Sequence, residues 1–157
     1  MNSSSDTAMT KEEYLEGLGM PAPSFTHQRL IDRMKINFSN RFAKAAHHLL
    51  VGVDISDSPE IFPDLSLWQI VDKFDLIAPP RNPLLSIEIT HTRQNDKYSE
   101  NSIRKSFACV PTLQEAFLYN YTDNVWCRYK LSKSGIVKEQ GQDYSSLLKI
   151  YLHTLLK

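Results

Sequence analysis

No run of this sequence is apolar for long enough to cross a bilayer, and the polar start Met1-Asn2-Ser3-Ser4-Ser5-Asp6 lacks a basic region followed by a hydrophobic segment. A membrane span and a signal peptide are therefore not expected, and the cytoplasm is the expected compartment. Cysteine is scarce. Cys109 and Cys127 have no short metal-ligand spacing, so a zinc site or a disulfide has no support and buried thiols are the ordinary reading. Net charge is absent too: 18 basic residues balance 18 acidic ones, unlike a strong, non-specific nucleic-acid binder. There is no glycine-rich phosphate loop, no internal repeat and no low-complexity tract beyond the N-terminus.

What is present is an ordinary globular composition in 157 residues, enough for one domain with a real core and no need of disulfides or structural metal. Residues 1–9 are small and polar and expected to be disordered; residues 10–157 are expected to form the single domain. The neutral total hides a segregation. Residues 27–44 carry Arg29, Arg33, Lys35, Arg41 and Lys44 against Asp32, whereas residues 54–75 carry Asp54, Asp57, Glu60, Asp64, Asp72 and Asp75 against Lys73. An acidic pocket beside a basic face fits that distribution.

Periodicity orders the elements. Thr10, Glu12 and Glu13 start a short helix that Gly19, Pro21 and Pro23 end. Ser24 caps a longer helix reaching about Lys44, with Leu30, Ile31, Met34, Phe38 and Phe42 at helical spacing. Strands follow over Leu49–Ile55, Asp64–Val71 and Leu84–Thr90, the last two separated by the stiff loop Ala78-Pro79-Pro80-Arg81-Asn82-Pro83. Residues 96–109 read as a helix closed by Pro111. Glu115–Tyr121 and Val125–Leu131 form a hairpin around Thr122-Asp123-Asn124, and Gly135 turns into a short strand. Leu147, Leu148, Tyr151, Leu152 and Leu155 suggest a closing amphipathic helix, with Asp143 as a candidate cap. The order predicts a mixed sheet flanked by helices, of α/β or α+β type.

Two acids stand out. Asp64 lies in Ile61-Phe62-Pro63-Asp64-Leu65-Ser66-Leu67-Trp68, and Glu88 lies in Leu84-Leu85-Ser86-Ile87-Glu88-Ile89-Thr90. Leu85, Ile87 and Ile89 point to the core, which puts Glu88 with Ser86 and Thr90 on the polar face. A carboxylate in an apolar strand is costly unless it is paired, hydrogen-bonded or bound to metal. Two of them on strands expected to be neighbours suit a hard divalent ion such as magnesium, which takes oxygen ligands and keeps several waters. Such an ion activates water for phosphodiester hydrolysis, provided a positive side chain stands nearby. A Pro-Asp turn and a solvated strand glutamate are the plainer alternative.

The order of motifs adds to this. Phe62-Pro63-Asp64-Leu65-Ser66, then Pro83-Leu84-Leu85-Ser86-Ile87-Glu88-Ile89-Thr90, then a helix, then Val110-Pro111-Thr112-Leu113-Gln114-Glu115-Ala116-Phe117-Leu118 resemble the PD-(D/E)XK nuclease superfamily. Within it the chain resembles the Uma family of proposed restriction endonucleases. Thr10-Lys11-Glu12-Glu13-Tyr14-Leu15 and the segment from Ser24 to Leu30, with His27-Gln28, resemble that family's N-terminal helices. The resemblance spans roughly residues 10–132. It implies a restriction-endonuclease-like fold, a Mg2+ (or Mn2+) site on Asp64 and Glu88, completed by the Ile89 carbonyl, and hydrolysis of DNA phosphodiester bonds.

Departures from the pattern mark what to examine. The superfamily's lysine two residues after the glutamate is Thr90, and the helix position to which the family moves it falls on Ile103. Lys97 is the first substitute and Arg104 the second, with Lys105 beside it. The serine expected three residues after the glutamate is His91, and the family's hairpin between its first two helices is missing. DNA contacts are expected from Arg29, Arg33 and Arg104, and a homodimer is compatible with the reading. The alternative function is a catalytically degenerate member of the fold that binds DNA or protein without cutting.

Overall fold

The computed structural model describes residues 24–42, 47–56, 58–69 and 82–157. The expected disorder at 1–9, the first short helix and the proline loop up to Arg81 lie outside the described residues. The described elements are α1 (Phe25–Arg41), β1 (His47–Val51), β2 (Leu65–Gln69), β3 (Pro83–Thr90), α2 (Arg93–Cys109), β4 (Glu115–Asn120), β5 (Val125–Ser132), β6 (Gly135–Gln140), β7 (Tyr144–Ser145), β8 (Ile150–Tyr151) and a final 3-10 helix, Leu152–Leu156.

Strands β1 to β6 form one sheet in chain order. Every neighbouring pair is antiparallel except β3 and β4, which run parallel and are linked through α2. Alternation along the central strands builds two cores. Leu85, Ile87, Ile89, Phe117 and Tyr119 pack with Ile31, Met34 and Phe38 of α1, while Ala116 and Leu118 pack with Ile103 and Phe107 of α2. The sheet is therefore sandwiched between the two helices. Among the described residues no helix is long and apolar enough to cross a membrane.

Both helices start on side-chain caps. Ser24 accepts from the His27 N–H at 3.1 Å, and Thr92 accepts from the Asn95 N–H at 3.0 Å. The second cap moves the start of α2 to Arg93, three residues ahead of the expected position. Because α2 covers β3, the Ser86-Glu88-Thr90 face is buried rather than solvated. Both cysteines are free thiols. Tyr119 and Trp126 stack with centroids 4.4 Å apart inside the core, which makes them packing residues.

Two local expectations need correction. The first strand starts earlier and ends at Val51, because Gly52 turns the chain at φ +61°. Beyond it, the Asp54 carboxylate accepts from the Ser56 and Ile61 N–H groups and folds the loop. The closing amphipathic helix is replaced by the β7–β8 hairpin and the 3-10 helix. The cause is tertiary: buried Glu115 takes the Ser145 hydroxyl and the Ser146 and Leu147 N–H groups, pinning that segment to β4. Asp143 is not the cap of the 3-10 helix, whose N-cap is Tyr151 with no side-chain cap; its carboxylate reaches the first turn from outside, accepting from the His153 N–H at 2.8 Å.

Candidate active site

The site grows out of the way β2 begins. Leu65, the first residue of β2, pairs with Ile87, so Pro63 and Asp64 stand just ahead of the ladder, level with the end of β3 that carries Glu88 and Ile89. Proline has no N–H and cannot extend the ladder. The slot it leaves on β3 is filled by side chains. The Ile89 N–H donates to Asp64 Oδ2 at 2.7 Å, and the Ile89 carbonyl lies 2.9 Å from His27 Nε2. The same His27 nitrogen lies 3.1 Å from Asp64 Oδ2. On the other side of Asp64, its own carbonyl accepts from the Gly52 N–H at 3.0 Å. The Pro-Asp pair thus ends a strand and turns a carboxylate into the gap.

All three side chains are enclosed: Asp64 is 1 % exposed, Glu88 4 % and His27 6 %. Ser99 of α2 reaches Glu88 Oε2 with its hydroxyl at 3.5 Å. Thr90, in the superfamily's lysine position, donates to the Asp96 carboxylate, which Asn120 also holds at 3.1 Å. Among the described residues no three His, Cys, Asp or Glu side chains gather around one point. What does converge is two side chains, Asp64 and His27, with the main-chain carbonyl of Ile89.

The cations are distributed differently. Ile103 is buried in the α2-side core. Lys97 is exposed, two residues before Ser99 and so about 200° around the helix from it. Arg104 Nη2 pairs with Glu100 at 3.1 Å, and Lys138 Nζ meets the same carboxylate at 2.9 Å. Burial pushes the Glu100 carboxyl up, but Lys138, Tyr129 and Arg104 outweigh it and hold the group below its ordinary pKa. Burial also pushes the Tyr129 hydroxyl and the Cys127 thiol up. A polar cleft of about 250 Å³ lies beside this cluster, lined in part by Arg93, Asp96, Glu100 and Lys138. Arg29 stands over the ring of exposed Phe25, and Arg33 donates to the Leu156 carbonyl at 3.2 Å. His91 follows the end of β3 and stacks on Tyr121.

Sequence reasoning placed Asp64 and Glu88 but left His27 out of the site. A signal was available. His27 stands four, seven and eleven residues before Ile31, Met34 and Phe38, on the stripe that faces the core.

The architecture has a solved counterpart. The chain is similar to a crystal structure described as a putative nuclease belonging to DUF820, from Anabaena variabilis. The match covers 87% of this chain and 83% of that one, at 14% identity and a TM-score of 0.58. The fold is restriction-endonuclease-like. Neither a protein-family model nor a curated protein matches the sequence.

Proposed function

We propose that this chain is a metal-dependent endonuclease hydrolysing DNA phosphodiester bonds, with Asp64 and Glu88 as its metal-binding carboxylates. One observation carries the reading. Asp64 precedes β2 where Leu65 pairs with Ile87, the residue before Glu88, and its Oδ2 accepts from the Ile89 N–H, in a fold shared with the DUF820 protein. The donors suit a hard divalent ion: two carboxylates and a main-chain carbonyl. Magnesium or manganese bound there polarises a phosphodiester and lowers the pKa of a bound water. The protein's part is positional. The Ile89 N–H fixes Asp64, and a strand buried on both faces fixes Glu88.

Lys97 is the substitute cation in this reading. It follows Asp96, whose carboxylate accepts from Thr90 at the end of the Glu88 strand, but it starts on the exposed side of α2, so its long side chain has to fold back over the helix start to serve. Arg29, Arg33 and Arg104 supply the contacts to phosphates. Plasmid nicking with and without Mg2+ or Mn2+ tests the function. Weak, metal-dependent cleavage is expected, lost in Asp64→Ala and strongly reduced in Lys97→Ala. Charge reversal at Arg29 and Arg33 should weaken DNA binding and flatten its salt dependence.

A second reading is favoured by a specific observation: the position expected for the lysine is buried Ile103, and Arg104 is engaged by Glu100. Charge developing on an attacked phosphate then goes unmatched, and the domain binds without cutting. Metal-independent DNA binding with no cleavage under any condition would select it.

A further inference from the structure

We infer that His27 is a direct ligand of the ion at this site, and that its nitrogen makes the site prefer a transition-metal ion such as manganese to magnesium. The inference rests on the metal-site reading above and adds a ligand to it. Ligands at about 2.1 Å in an octahedron stand roughly 3.0 Å apart along each edge. His27 Nε2 lies 3.1 Å from Asp64 Oδ2 and 2.9 Å from the Ile89 carbonyl oxygen, so both oxygens stand from the nitrogen at the spacing of an octahedron's edges.

An N–H on Nε2 satisfies both oxygens, and a cation between the three atoms satisfies them equally. His27 is enclosed, and the carbonyl and carboxylate oxygens reach it on the Nε2 side of the ring only. Glu88, the residue before Ile89, would add the second carboxylate in the metal-site reading. The Ser24 cap fixes the first turn of α1 that carries the imidazole.

Ligand chemistry supplies the selectivity. Magnesium takes oxygen donors and water, whereas imidazole raises affinity for first-row transition ions. A site of oxygens alone would treat the two ions more evenly.

Manganese electron-spin-echo spectroscopy of the full-length chain tests this directly. Mn2+ bound to protein labelled with 15N-histidine should show coupling to a directly bound imidazole nitrogen, replaced by the 14N pattern in unlabelled protein. His27→Gln should lose the coupling and weaken Mn2+ binding by about tenfold or more, with Mg2+ binding changed much less. The chain has five histidines, so loss in this variant identifies the ligand. Mn2+ binding that vanishes in Asp64→Asn but shows no nitrogen coupling in the wild type would overturn the ligand and leave the metal site standing. No saturable Mn2+ binding by the wild type would overturn both. If His27→Gln does not fold, a chain with His47, His48, His91 and His153 replaced by Gln should keep the coupling, and its loss there would overturn the assignment to His27.

Discussion

Glu115 and Asp64 are both buried acids at the entry to a strand, 3 % and 1 % exposed, and they differ in the kind of partner each has. Glu115 accepts from the Ser145 hydroxyl and the N–H groups of Ser146 and Leu147, and it forms an ion pair with Arg128, whose Nε lies 3.5 Å away. Those donors tie the C-terminal segment and β5 to β4, so the charge is consumed in holding the fold. Asp64 meets a main-chain N–H and an imidazole that also serves a carbonyl. That arrangement tolerates a cation. The comparison teaches that burial alone does not mark a functional acid; the chemistry of its partners does.

The largest expected effect separates the two acids by stability. Glu115→Ala leaves Arg128, 12 % exposed, with only Glu139 at 3.8 Å, strips the Ser145 hydroxyl and two N–H groups of their acceptor, and should cost about 3–5 kcal/mol in urea unfolding. A loss below about 1 kcal/mol would break the comparison, because Glu115 would then behave as a solvated charge. Asp64→Asn keeps an oxygen for the Ile89 N–H, so it should lose no more than about 1.5 kcal/mol. Manganese binding by calorimetry should disappear in the same variant. Destabilisation equal to that of Glu115→Ala would make Asp64 a second structural acid.

Ser24→Ala sharpens the functional side. Losing the cap costs about 1 kcal/mol. It also removes the 3.0 Å hydrogen bond between Ser24 Oγ and the Tyr121 hydroxyl. Manganese affinity should fall modestly, because the first turn of α1 holds His27; an unchanged affinity would show that packing alone positions the ring. The smallest effect concerns Glu100. Its folded pKa lies below the unfolded one, so its contribution is present above the ordinary carboxylate range and is lost as pH falls through the folded value. Acid unfolding of Glu100→Gln should therefore show a shallower dependence on pH than the wild type. Identical acid profiles would remove Lys138, Tyr129 and Arg104 as its net stabilisers.

The sequence by itself determined the sandwich and its two strand carboxylates. Alternation at Leu85, Ile87 and Ile89 fixed which face of β3 meets α1, and the Ser24 cap with the stripe through Ile31, Met34 and Phe38 fixed that helix. These are local signals, because side-chain periodicity reports burial within one element. Tertiary structure decided the rest. His27 joins Asp64 from 37 positions away, and Ser145 joins Glu115 from 30 positions away. The closing apolar pattern at Leu147, Leu148, Tyr151, Leu152 and Leu155 reads as a helix until Glu115 claims the N–H groups ahead of it. A hydrogen bond between distant residues leaves no period in the chain, so the partners that tie Glu115 into the fold and set Asp64 beside His27 become visible only when the strands are assembled.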